Sequence, residues 1–243
     1  MGIEEKHITV GAMEYFIRLS GTGSGKPLIV MEAGYGDHSG KWADLPQKLE
    51  ETARVFTYDR AGLGKSGPPP AGPRTTREMV SELNQLLKKA NLPPPYILVG
   101  HSYGGVNAQV FAAAYPKKVK GVVLLDSTPS DYRERFLPLM TEPFQYAYIK
   151  QFTLEGNHEE FMESLNQLKR TGFPRNILLT VVSAGKKDHY SPRAQSLWNI
   201  MQKETAAQSD CSTFIIAENS GHYIQSDEPD LAAEVVRQLA AQL

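Results

Sequence analysis

The chain is poor in several features that would each point to a class of protein. Its one cysteine, Cys211, excludes an intrachain disulfide. Its 26 basic and 27 acidic residues leave a net charge of −1, which gives no electrostatic basis for binding nucleic acid or an anionic membrane surface. No apolar run approaches the roughly 20 residues that span a bilayer. The first residues lack the basic and apolar regions of a secretory signal, so we expect a cytoplasmic protein with no nucleic-acid or membrane partner.

Metal-ligand spacings are missing as well. The six histidines and the single cysteine form no group with the spacing of a zinc site. We therefore expect a protein that uses neither a metal nor another cofactor. The apolar fraction of 41% is still sufficient for a large core, and 243 residues fit one α/β domain.

What the chain does have is a regular alternation of short apolar runs and helical patterns. The first two runs, His7–Val10 and Tyr15–Leu19, predict a β-hairpin. The later runs predict a mostly parallel, doubly wound α/β sheet with its strand ends, and any site, along one edge. These strands are expected at Pro27–Met31, Arg54–Tyr58, Tyr96–Val99, Val122–Asp126, Arg175–Val182 and Ser212–Ile216. The helices are expected at Trp42–Glu50, after the capping box of Thr75 and Glu78, at Val106–Tyr115 and from near Pro229.

One segment interrupts this alternation. Residues 129–174 show no strand pattern, two helical segments and many aromatic side chains. We interpret them as a helical lid inserted into a core formed by residues 1–128 and 175–243. An ordinary excursion between two strands is the alternative. The aromatic side chains favour a substrate with an apolar acyl or alcohol portion.

A candidate nucleophile lies where the strand Tyr96–Val99 meets the next helix. Residues 100–104 read Gly-His-Ser-Tyr-Gly, with Ser102 at the centre. A Gly-x-Ser-x-Gly turn between a strand and a helix strains the backbone and exposes the serine hydroxyl near the helix N-terminus. Backbone N–H groups at that terminus favour a developing oxyanion. The alternative is a glycine-rich turn that contains a serine by chance.

A serine nucleophile also needs a base and a group that orients the base. His222 follows the last predicted strand and precedes the last helix, which suits the chain order Ser–acid–His. We expect His101 to pack or hydrogen-bond beside the site instead. Two carboxylates end predicted strands on the correct edge: Asp126 directly, and Asp188 in a lysine-containing loop that looks solvated. We favour Asp126 as the triad acid, and Asp188 stays open as the alternative.

Two backbone donors are expected to complete the site. Tyr103 follows the nucleophile directly, so its N–H group is one candidate for an oxyanion hole. The glycine-rich segment 32–36 lets the backbone turn inward, which makes the N–H group of Tyr35 the second candidate. A simple glycine turn is the alternative at this segment.

These motifs resemble those of the α/β-hydrolase superfamily along nearly the whole chain. Segments 32–36, 58–66, 100–105 and 220–222 carry the resemblance. It implies the α/β-hydrolase fold and a triad in which Ser102 is the nucleophile and His222 the base. Dehalogenase and epoxide-hydrolase relatives carry aspartate at the nucleophile position, so Ser102 argues against those chemistries. Relatives differ in whether the acid follows the strand of Asp126 or the next one.

The resulting expectation is a serine hydrolase of carboxylesterase type. It would cleave a small-molecule ester or related acyl substrate through an acyl-enzyme intermediate. The same triad also breaks peptide, lactone and carbon–carbon bonds, so such hydrolases are the alternatives among enzymes. The alternative from another class is a ligand receptor that has the hydrolase pocket but no turnover.

Overall fold

A mixed sheet of eight strands runs through the computed structural model, which describes residues 2–22 and 26–243. The strands are β1 (Glu4–Val10), β2 (Met13–Ser20), β3 (Leu28–Glu32), β4 (Val55–Tyr58), β5 (Tyr96–His101), β6 (Val119–Leu125), β7 (Leu178–Ala184) and β8 (Ser212–Ala217). Their order across the sheet is β1-β2-β4-β3-β5-β6-β7-β8. Strand β2 is antiparallel to both β1 and β4, and every later pair is parallel. The predicted α/β-hydrolase fold, a mostly parallel sheet with an antiparallel N-terminal hairpin, is confirmed.

Helices cover both faces of this sheet because its central strands are apolar on both sides. In β3, for example, Leu28 and Val30 face one core and Ile29 faces the other. The helices are α1 (Leu45–Leu49), α2 (Thr76–Lys89), α3 (Tyr103–Ala114), α4 (Glu142–Lys150), α5 (His158–Thr171), α6 (Pro192–Ala206), α7 (Ile224–Asp227) and α8 (Pro229–Ala240). Helices α2, α3 and α6 pack on the first core, and α1 and α8 pack on the second. The parallel strands therefore end at one common edge, where β5, β6, β7 and β8 lead into the loops described below.

Helices α1 and α6 are among those that differ from the sequence prediction. The helix expected at Trp42–Glu50 begins only at Leu45, because Ala43 has φ of 50°, which an α-helix does not accept. A short 3₁₀ turn over Ser39–Trp42 precedes it. Helix α6 was not predicted. Its buried face includes Gln202 and small residues, so its apolar periodicity is weak.

The segment between β6 and β7 holds α4 and α5, together with short helical turns over Tyr132–Phe136 and Leu137–Leu139. Helix α5 begins with a capping box in which Asn157 and Glu160 bond each other's backbone N–H groups. It packs on α2 and α3. The segment therefore lies over the end of the sheet from which β5 enters α3.

Candidate active site

Ser102 lies on the sharp turn between β5 and α3. Its φ of 53° and ψ of −121° are a strained combination for a residue with a side chain. Its N–H donates to the Leu125 carbonyl at 3.2 Å, and its carbonyl accepts from the N–H groups of Gly105 at 3.0 Å and Thr128 at 3.2 Å. These bonds tie the turn to the end of β6, so the serine has a fixed position.

Glycines let three backbone segments meet at this turn. A Cβ atom on Gly104 would overlap the carbonyl oxygens of Glu32 and Ala33 at the end of β3. A Cβ atom on Gly100 would overlap the backbone of Gly104 and Gly105. Any side chain at these positions would force α3 away from the sheet, because backbone atoms cannot move aside as a flexible side chain can. The Gly-x-Ser-x-Gly spacing therefore has a steric cause in this fold.

His222 contacts the first of the two candidate acids. It follows β8, and its Nδ1 lies 2.6 Å from Oδ2 of Asp126. Burial acts to raise the pKa of Asp126, but Lys187 and His222 together hold this pKa well below its usual value. The carboxylate is therefore ionised and can only accept hydrogen bonds. The Nδ1 atom is thus the donor, and in the neutral ring Nε2 is left without a proton.

The Asp126 carboxylate is held on both of its oxygens. Its other oxygen, Oδ1, accepts from Trp198 Nε1 at 2.6 Å and from the Ala184 N–H at 3.0 Å. The backbone of Asp126 has φ of 47° and its N–H donates to the Val182 carbonyl at 2.8 Å. Asp188 is exposed, and within the described residues it makes no hydrogen bond or ion pair with His222. The geometry thus brings Asp126, and not Asp188, to the imidazole.

Lys187 is a site residue that the sequence did not indicate. The loop after β7 looked solvated, which is correct for Lys186 and Asp188 but wrong for Lys187. The Lys187 side chain is only 7% exposed, and its Nζ lies 2.5 Å from Asp126 Oδ2. Burial lowers the pKa of Lys187 to about 8, although Asp126 acts in the opposite direction. Two adjacent lysines look alike in a sequence, so no signal could have separated them.

Two backbone N–H groups beside the serine have no acceptor among the described residues. They belong to Tyr35 and Tyr103, and both residues line the same cavity as Ser102. The Tyr35 hydroxyl donates to the Gly156 carbonyl at 2.6 Å and accepts from the Leu154 N–H at 3.0 Å. The loop that carries the Tyr35 N–H group is therefore attached to the segment between β6 and β7.

A buried arginine strengthens this attachment. Arg60 donates from Nε and Nη2 to the two oxygens of Glu155, at 2.6 and 2.7 Å. Its Nη1 lies 3.3 Å from Glu32 Oε2, and it also donates to the carbonyls of Ala33 at 2.7 Å and Gly34 at 2.5 Å. Burial acts to lower the pKa of Arg60, but the two carboxylates raise it well above its usual value. The sequence motif contained Arg60, but nothing in the sequence indicated Glu155 as its partner.

His101 makes a hydrogen bond to the loop of His222. Its Nε2 lies 2.9 Å from the His222 carbonyl. A carbonyl only accepts, so Nε2 is the donor, and Nδ1 has no partner among the described residues. Burial, and then the neighbouring His222, lower the pKa of His101 to about 3. The ring is therefore neutral at neutral pH.

The serine and the two histidines open onto a cavity of about 450 Å³. Much of its wall is aromatic, and five of these rings come from the segment between β6 and β7: Tyr132, Phe144, Tyr148, Phe152 and Phe161. Lys186, Lys187 and Asp188 line another part of the wall. The cavity thus combines an apolar volume with a small polar cluster around Ser102, as small-molecule sites usually do.

Two further features, metal-ligand clusters and membrane-spanning helices, are absent from the part of the chain that the structure describes. No three or more histidine, cysteine or carboxylate side chains come together there as a metal site would require. None of the helices described there has the length and the apolar character to cross a membrane.

Known proteins are similar to this chain in sequence and in fold. A family model described as the alpha/beta hydrolase fold matches residues 27–142. The uncharacterized protein YqjL of Bacillus subtilis is 38% identical over 211 residues, a match that covers 86% of this chain and 81% of that protein. A pimeloyl-[acyl-carrier protein] methyl ester esterase of Chromobacterium violaceum is 32% identical over 162 residues, covering 67% of this chain and 59% of the esterase.

A solved structure extends the likeness to the whole chain. A thermophilic esterase from Thermogutta terrifontis superposes with a TM-score of 0.67, covers 98% of each chain and shares 19% of its residues. At that identity the likeness concerns the fold alone.

Proposed function

We propose that this chain, which belongs to the α/β-hydrolase fold family, is a serine hydrolase that cleaves small esters. One observation carries the proposal: His222 Nδ1 lies 2.6 Å from the buried, ionised Asp126, and His222 lines the same cavity as Ser102. A carboxylate in this position fixes the tautomer that leaves Nε2 free to accept a proton. The methyl ester esterase among the relatives supports an ester as the substrate.

The proposed reaction has two halves. Ser102 Oγ attacks the ester carbonyl while its proton passes to His222 Nε2, and Asp126 stabilises the imidazolium that forms. The N–H groups of Tyr35 and Tyr103 donate to the developing oxyanion. The imidazolium then gives its proton to the leaving alcohol, and an acyl-enzyme remains. In the second half a water molecule gives a proton to His222 and attacks the acyl carbon. His222 then returns this proton to Ser102 Oγ as the acyl–Oγ bond breaks, which releases the acid and restores both residues.

We further propose that residues 129–174 act as a lid whose aromatic side chains hold the apolar part of the ester. Five of their rings line the cavity. Aromatic side chains offer large apolar surfaces with few polar atoms, so they favour an apolar acyl or alcohol group over a charged one. A panel of p-nitrophenyl esters with rising acyl length would report the length that this cavity accepts.

The test is covalent labelling with a fluorophosphonate, combined with p-nitrophenyl acetate hydrolysis. We expect the wild type to be labelled and Ser102→Ala to be unlabelled, with at least about a thousandfold loss of kcat because the nucleophile is gone. Ser196→Ala removes an exposed hydroxyl on α6 and serves as the matched control. It should label and hydrolyse like the wild type.

Two results would contradict the proposal. If the wild type is not labelled and does not hydrolyse any ester of the panel, the receptor alternative is correct. If Ser102→Ala is labelled and turns over like the wild type, another residue carries the reaction.

A further inference from the structure

Lys187 is a buried lysine that the proposed reaction does not use. Its Nζ and His222 Nδ1 approach the same oxygen, Oδ2 of Asp126, at 2.5 and 2.6 Å. The other carboxylate oxygen is occupied by the Trp198 and Ala184 donors. Two basic groups, from Lys187 and His222, therefore contact the same carboxylate oxygen.

The surroundings keep Lys187 in this position. Its Nζ lies 3.4 Å from the centre of the Trp198 ring and 4.8 Å from that of Tyr190, two cation–π contacts that restrict its movement. Asp126 is its one anionic partner in the described residues. The titratable groups around Lys187, Asp126 and His222 are His101 at the end of β5, Asp37 after β3, Tyr132 from the helical turn after β6, and Lys186, Asp188, His189 and Tyr190 from the loop of Lys187 itself.

Sharing the carboxylate affects the imidazole. When Lys187 carries its charge, it neutralises part of the charge of Asp126, so protonation of His222 gains less from that carboxylate. A charged Lys187 and a protonated His222 therefore compete for the same oxygen, Oδ2 of Asp126. Burial lowers the pKa of Lys187 to about 8, so the lysine is charged at neutral pH and can lose its charge in mildly alkaline solution.

We propose that Lys187 is a positioning residue that acts through Asp126 and sets the pH range in which His222 accepts the proton of Ser102. This inference rests on the proposed serine-hydrolase function and deepens it. The role needs the positive charge of Lys187, whereas a merely structural role would need its shape and its packing under Trp198.

The experiment measures kcat/KM for p-nitrophenyl acetate between pH 5 and pH 10 in four proteins. They are the wild type, Lys187→Met, Lys187→Arg and the control Lys203→Met, which removes one exposed positive charge from α6. We expect the acidic limb of Lys187→Met to lie about one pH unit higher than that of the wild type. Lys187→Arg and Lys203→Met should keep the acidic limb of the wild type.

The alkaline limb of the kcat/KM profile gives a second measurement. It compares the wild type with Lys187→Arg, so it does not depend on the Lys187→Met variant. The wild type should show an inflection near pH 8, where Lys187 loses its charge. Lys187→Arg should lack this inflection because arginine keeps its proton throughout the range. This arm remains decisive if Lys187→Met does not fold.

The inference is overturned if Lys187→Met lowers kcat/KM equally at every pH, or if the alkaline inflection is absent from the wild type or persists in Lys187→Arg. Failure of the proposed function looks different, because in that case Ser102→Ala keeps wild-type activity. An inactive Ser102→Ala together with an unshifted Lys187→Met profile refutes the role of Lys187 alone.

Discussion

Replacing Glu155 with glutamine will lower the free energy of unfolding by about 3 kcal/mol, a large effect for a substitution that keeps the size and shape of the side chain. Glu155 and Arg60 are both almost completely inaccessible to solvent. Their paired bonds of 2.6 and 2.7 Å form a bidentate ion pair that water does not screen. Glu155 Oε1 also accepts from the Gly36 N–H at 2.8 Å.

The magnitude follows from what glutamine leaves behind. Its amide nitrogen would meet a guanidinium donor, and one of the two negative charges around Arg60 would be gone. Breaking a buried ion pair by removing one partner costs roughly 3–5 kcal/mol. Arg60 keeps its bonds to the carbonyls of Ala33 and Gly34 and its 3.3 Å contact with Glu32, which puts the expected loss at the lower end of that range.

The assay is urea unfolding, followed by the fluorescence of the two buried tryptophans, Trp42 and Trp198. Glu163→Gln is the matched control, because Glu163 forms an ion pair of 2.5 Å with Arg170 in which both side chains are largely exposed. That variant should lose less than about 1 kcal/mol. A loss below about 1 kcal/mol in Glu155→Gln as well would refute the reasoning, since the buried pair would then behave as a surface pair.

Two further predictions concern the histidine and the carboxylates at the site. The pKa of His101 is about 3 in the folded protein, whereas the ordinary value for a histidine is 6.5. In acid the unfolded chain therefore binds this proton before the folded protein does, and the free energy of unfolding falls as the pH drops from about 6.5 towards 3. Between pH 7 and pH 4 the protonation of His101 lowers the free energy of unfolding by about 3 kcal/mol. Urea unfolding at the two pH values should show a smaller loss in His101→Gln than in the wild type. The exposed control His7→Gln should lose as much as the wild type. In ester hydrolysis, Asp126→Asn should lower kcat by about 10⁴-fold through the wrong imidazole tautomer, while the exposed Asp188→Asn changes it little. The opposite order of the two aspartate variants would transfer the proposed role to Asp188.

The sequence was most informative where backbone geometry dictates residue type. The strained turn at Ser102 and the close approach at Gly104 each require particular residues at a fixed spacing, so a local pattern predicts them. The alternation of strands and helices also predicts that the strands before Asp126 and His222 are parallel and end at the same edge of the sheet. These features needed no knowledge of distant contacts.

Contacts between segments far apart in sequence could not be predicted in this way. Glu155 lies 95 residues from Arg60, in a segment with no pattern that marks it as buried. Trp198 reaches Asp126 from α6, a helix whose buried face is too polar and too small to show clear periodicity. The contact of Lys187 with Asp126 joins two loops that are 61 residues apart in sequence, and only the folded arrangement reveals it.

The tight meeting of β3, β5 and α3 has a consequence for how this protein can change. Backbone atoms occupy the space around Gly100 and Gly104, so the backbone at residue 102 has little room to change its conformation. The fold thus determines where the reactive atom lies, but not whether that atom is oxygen or sulfur. A thiol introduced at position 102 would be presented at the same point as the hydroxyl. Changing the reactive group at position 102 therefore takes one codon, whereas moving it to another position would require a different backbone arrangement.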